Sequence, residues 1–107
     1  MADKETIRGL LQGVFDTHVH AGPDLLPRRF TDIDVARLAQ ERGFGGIVLK
    51  SHHSPTADRA SLIRAMFPGV NVYGAVALNN PIGGLNATAL DIQARLGAKV
   101  VWLPTVD

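Results

Sequence analysis

Short, continuous apolar runs alternate with longer amphipathic stretches along this chain. The runs are Val14 to His20, Ile47 to Ser51, Val72 to Leu78 and Lys99 to Pro104, and each reads as a β-strand. Thr31-Asp-Ile-Asp34 opens the first amphipathic stretch as a helix N-terminus, because the Thr31 hydroxyl can cap while Asp34 reaches back. That helix runs to about Arg42 and stops at Gly43. Ser54-Pro55-Thr56 is expected to cap a second helix, which bears Ala60, Leu62, Ile63 and Met66 and halts at Pro68-Gly69. The turn-rich segment from Asn79 to Gly84 delivers Asn86 as the cap of a third, ending at Gly97. A short helix over Lys4 to Gln12 precedes them all.

Strands that are unbroken Val/Ile/Leu runs are buried on both faces and therefore parallel, so the fold class is α/β. The units fall at 1–12 (helix), 13–43, 44–69 and 70–97 (three βα steps) and 98–107 (a fourth strand). Each step is roughly 25 to 32 residues, the size of one step of a (β/α)₈ TIM barrel of about 250 residues. The expectation is a single domain forming about half of such a barrel, with four strands and three to four helices. A doubly wound sheet is the competitor, but Ala21-Gly-Pro-Asp24 after the first strand lacks the phosphate-binding glycine fingerprint.

Composition narrows the chemistry. An apolar fraction of 46% over 107 residues supports a core, and a net charge of +1 gives no reason to expect nucleic acid or an anionic membrane as partner. With no cysteine, any metal is held by His and carboxylate. The N-terminus alternates charge and no stretch has the length of a membrane span, so a cytoplasmic protein is expected.

Polar residues collect at the strand ends, where parallel α/β proteins bind ligands. His18 and His20 lie two apart in Phe15-Asp-Thr-His-Val-His, so a strand turns both imidazoles to one face, where they can share a divalent ion. All four histidines fall at two strand ends, His52 and His53 closing the second. If His52 faces inward, so do Lys50 and Val48, while Ile47, Leu49 and Ser51 pack beneath the helices. Level register would then set Asp16 beside Lys50 as a supporting ion pair, with a carbamylated or general-base Lys50 as the sharper alternative. His53 and Asn79 belong to the same supporting set. Arg28 and Arg29 are candidate substrate-binding residues that could clamp a carboxylate or phosphate; a solvated charge pair with Asp24 is the alternative. Gly83-Gly84 with Asn86 suits either an anion or simple capping. Trp102 and Tyr73 read as core or pocket wall.

On these residues the chain resembles the N-terminal half of a metal-dependent hydrolase of the amidohydrolase superfamily. Asp-Thr-His-Val-His is similar to that superfamily's Asp-x-His-x-His signature, which implies His18 and His20 as metal ligands. The segment from Thr31 to His52 is also similar to the polymerase and histidinol phosphatase family, whose second strand ends in Thr-Asp-His, and there His52 would be a ligand. The chain departs from that family at Asp24, Leu25 and Leu26, where another histidine is usual, and at Asn79, where an acid is usual. In both families the remaining ligands come from strands five to eight. The resemblance implies a hydrolase of a small molecule, with zinc as the expected ion and manganese or iron next. The alternatives are a phosphoesterase-like hydrolase and a catalytically inactive half-barrel that self-associates or awaits its C-terminal half. Asp24 and Asp107 are the acids that could stand in as base.

Overall fold

A computed structural model describes residues 3–105. The elements follow in the order α1 (Lys4–Leu11), β1 (Phe15–Val19), α2 (Asp32–Glu41), β2 (Gly46–Leu49), α3 (Ala57–Met66), β3 (Asn71–Tyr73), β4 (Ala75–Ala77), α4 (Ala87–Arg95) and β5 (Val100–Trp102), with one turn of 3₁₀ helix at Asn80–Ile82. All strand pairings are parallel: β1-β2-β3 form one sheet and β4-β5 a second. The α/β class is as the apolar pattern dictated. No helix among the described residues is long and apolar enough to cross a membrane.

The core lies between the sheet and helices α2 and α3. Ile47 and Leu49 of β2 are buried with Val70 and Val72 against Ala36, Ala39, Ala60 and Ile63. Small alanines on the helix faces let the backbones of α2 and α3 approach the strand, while Val48 and Lys50 take the opposite face by alternation. Thr31 and Asp34 form the expected capping box, and Asn86 Oδ1 accepts from the Ala89 N–H at 3.0 Å. Capping therefore accounts for Asn86. Helix α1 is present but buries no residue.

The third strand departs from expectation. Val72 to Leu78 is not one strand: it breaks at Gly74 into β3, which pairs with β2, and β4, which pairs with β5. The backbone of Ala57, entering α3, sits where a Gly74 side chain would begin, so only glycine fits. Thr56 spans the gap this leaves. Its Oγ1 donates to the Leu49 carbonyl at 2.7 Å and accepts from the Ala75 N–H at 2.8 Å. The hydroxyl expected to cap α3 makes no cap bond, because it is spent joining β2 to β4.

A second buried polar contact ties the loop after β1 to α3. Asp32, the first residue of α2, is 2% exposed, and its Oδ2 lies 2.8 Å from Arg59 Nε. Neither group's hydrogen bonding is satisfied there, and burial pushes the carboxyl up to about 6 against the pull of Arg59. Arg59 Nη1 also donates to the Pro23 carbonyl at 2.9 Å, holding the start of the loop.

Thr56→Val keeps the shape but leaves the Leu49 carbonyl and the Ala75 N–H without their side-chain partner. The expected cost is about 3 kcal/mol in urea unfolding, with Thr56→Ser close to wild type. Equal midpoints for the valine and serine variants would show that the hydroxyl bonds carry no stability.

Candidate functional site

The C-terminal ends of β1 and β2 bring the histidines together, and they do so through an irregularity. Asp16 pairs with Ile47 but Val19 pairs with Leu49, so β1 spends one more residue than β2 over this span. Such a bulge re-aims side chains beside it. Asp16 lines a groove with Val19, Leu38 and Ile47, on the helix side, and its Oδ1 accepts from the His18 N–H at 3.1 Å. His18 emerges on the other face against Trp102, and His20, which also lines the groove, reaches it from the end of the strand.

There the two imidazoles meet, Nε2 to Nε2, at 3.0 Å. The His52 ring stacks on His20 with centroids 4.9 Å apart, and Trp102 covers His18 with centroids 4.8 Å apart. The expected convergence of His18, His20 and His52 is therefore partial. His52 joins through its ring face, its Nδ1 lies 3.4 Å from Thr105 Oγ1, and no three-donor His, Asp or Glu group forms among the described residues. Asn79 is fully buried and supports this edge, donating to the His52 carbonyl at 3.1 Å and accepting from the Thr105 N–H at 2.8 Å.

The expected Asp16–Lys50 ion pair is corrected. The bulge and the Asp16–Ile47 register put the two residues on opposite faces, and among the described residues Lys50 has no carboxylate within ion-pair distance. Lys50 is 3% exposed, its Nζ lies 4.1 Å from the Trp102 ring centroid, and burial lowers its pKa. A cation facing an indole is attracted by the ring quadrupole, which replaces part of what water supplied.

The charged loop after β1 is also not the solvated pair it could have been. The Asp24 side chain is wholly buried. It accepts from Arg28 Nε at 2.8 Å, from the Leu25 N–H at 2.7 Å, and from Ser51 Oγ and His53 Nδ1 at 3.4 Å each. Burial alone would raise its pKa, but the donors outweigh it and bring the carboxyl down to about 2. Arg28 in turn places Nη2 3.4 Å from His20 Nδ1. Arg29 lies outside this cluster, its guanidinium 5.3 Å from the Phe30 ring. Asp107 lies outside the described residues.

Donor and acceptor rules order the chain of contacts. Arginine only donates, so His20 Nδ1 accepts; its proton then sits on Nε2 and is given to His18 Nε2. Both rings are neutral in this arrangement. Burial lowers the pKa of His20, and Arg28, His52, His18 and Lys50 lower it further. The pKa of His52 falls by burial and by Lys50, His53 and Arg28, with Asp24 opposing.

A family model matches residues 13–107. The chain belongs to a family of unknown function (DUF6282). No curated protein and no solved structure matches it. The matched span contains every side chain of this cluster.

Asp24 and Ser51 were not read from the sequence as the buried hub of the site. The four-residue spacing of Asp24 and Arg28 was the available signal, since residues four apart can meet on one helical turn. Ser51 carried none. The sign of the Asp24 effect is fixed by its depressed pKa: the stabilisation is complete above about pH 4 and is lost as pH falls toward 2. Asp24→Asn is expected to cost about 2 kcal/mol at pH 7 in urea unfolding, with the gap to wild type shrinking between about pH 4 and 2. A gap independent of pH would contradict the ionised, bonded carboxylate.

Proposed function

We propose that this chain is the N-terminal part of a metal-dependent hydrolase of the amidohydrolase type, acting on a small molecule. The observation that carries the reading is the meeting of His18 and His20 Nε2 at 3.0 Å on one face of the strand ends. A tetrahedral zinc with Zn–N ~2.0–2.1 Å sets two nitrogens ~3.3 Å apart, so the pair fits two sites of such an ion with a small ring rotation. The depressed pKa of His20 keeps that ring neutral at pH 7, as a ligand must be. The order of strands also supports it. β1, β2, the broken third strand and β5 run parallel in chain order, as the first four strands of a (β/α)₈ barrel would.

Zinc is the expected ion, held by His18 and His20, with His52 the nearest further imidazole. A divalent ion bound there would polarise a carbonyl and bring water's pKa toward ~7. The chain's own residues support the ligands: Trp102 packs against His18, and Asn79 lies behind the His52 backbone. Two imidazoles are an incomplete set, and a further donor and a base for water belong to residues outside this cluster. The 107-residue chain alone is therefore expected to bind zinc weakly and to show no turnover.

Calorimetric titration with zinc tests the reading. His18→Ala and His20→Ala should each weaken binding by at least about tenfold, while Arg29→Ala, outside the cluster, should leave it near wild type. Zinc affinity unchanged in both strand-one variants would refute the metal site.

A further inference from the structure

We infer that the groove between α1 and the C-terminal end of α2 binds a phosphomonoester with a small apolar body, held by Lys4, Arg8 and Arg42 and packed on Ile7 and Leu11. These five side chains line a concavity of about 300 Å³. A volume of that order suits a small molecule. The groove is independent of the ion site, for it lies where β1 and β2 begin, at the opposite end of the sheet from the histidines. A joint between two helix ends builds it. Gln12, the C-cap of α1, donates through Nε2 to the carbonyls of Arg8 and Arg42, each at 3.1 Å, and the Gly13 N–H donates to the Gly43 carbonyl at 2.8 Å. The Gln12 amide fills the space where a side chain at Gly43 would begin, and Gly43 has a φ of +75°, so the joint requires glycine there. Lys4 and Arg8 stand one turn apart on α1, as do Ile7 and Leu11, and the four make one stripe that meets Arg42 across the groove.

The positive charge in this groove is uncompensated. Cations near helix C-termini commonly serve the last carbonyls, but here Gln12 serves them at both helix ends. Among the described residues, Lys4, Arg8 and Arg42 have no carboxylate within ion-pair distance. No acid among the described residues lines the groove: Asp3 caps α1 through the Thr6 N–H at 2.8 Å, and Glu5 and Glu41 lie outside the lining. Those acids balance the cations over the wider surface, so the attraction is local to the groove and fits a ligand better than a membrane plane. Three cationic side chains in one concavity match the nearly dianionic charge of a phosphomonoester, whereas a carboxylate would leave positive charge over. Ile7, 45% exposed, and the half-buried Leu11 offer the apolar body a surface beside them. Because α1 buries no residue of its own, a ligand bridging Lys4 and Arg8 to Arg42 would also fix α1 against α2.

The test is ¹H–¹⁵N NMR titration of the metal-free 107-residue chain with phenyl phosphate. Resonances of residues 4–12 and 42–43 should shift, and those of His18, His20 and His52 should stay in place. Phenol, which lacks the charge, should not bind, and inorganic phosphate, which lacks the ring, should bind more weakly. Arg8→Gln and Arg42→Gln, both at exposed positions, should each weaken phenyl phosphate by about tenfold. Shifts confined to the histidine end of the sheet would overturn the inference, and so would glutamine variants that both bind as wild type does. Phenol or inorganic phosphate binding as tightly as phenyl phosphate, or benzoate binding more tightly, would overturn it as well. Phosphatidylcholine vesicles doped with phosphatidic acid present the same phosphate chemistry on a lipid surface. The chain should stay in the supernatant when they are sedimented, and co-sedimentation without binding of phenyl phosphate would replace the small ligand by a membrane.

Discussion

The buried carboxylate of Asp24 is the contact on which the arrangement of this site depends. An ionised carboxylate removed from water costs several kcal/mol unless its oxygens are satisfied, and here four donors reach it. They come from two segments: Leu25 and Arg28 in the loop after β1, Ser51 and His53 after β2. One anion thus holds two strand-end loops in place. It also decides the direction of every proton behind it, since a fixed Arg28 makes His20 Nδ1 an acceptor and His18 Nε2 the end of the line.

The sheet is held open for that site by a similar economy of polar groups. β2 and β4 do not pair, because the entry of α3 presses on Gly74, and Thr56 replaces the missing ladder with one hydroxyl. Beyond that point Lys50, Asn79 and Trp102 gather on the face opposite the core, with Val48 and Tyr73 paired behind them. The face that carries the chemistry is thus the one that the helices leave uncovered.

Much of this was legible from periodicity. The βα repeat, the Thr31–Asp34 capping box, the Asn86 cap and the burial of Ile47 and Leu49 beneath the helices follow from local pattern, and local pattern is what a sequence displays. The pairing of His18 with His20 was legible for the same reason. What escaped is non-local. The bulge in β1 is a mismatch between two strands, and it undid the Asp16–Lys50 pair that strict alternation required. Thr56 has the composition of a cap, yet the backbone groups it meets lie 7 and 19 residues away. Asp24 and Arg28 look like a solvated pair until Ser51 and His53 close over them from another unit.

The central claim is the ordered chain from Asp24 through Arg28 and His20 to His18, and histidine tautomers report it directly. Long-range ¹H–¹⁵N correlation spectra of the metal-free chain at pH 7.5 distinguish protonation at Nδ1 from protonation at Nε2. The account requires His20 to carry its proton on Nε2 and His18 on Nδ1. A His20 protonated on Nδ1, or on both nitrogens, would contradict it.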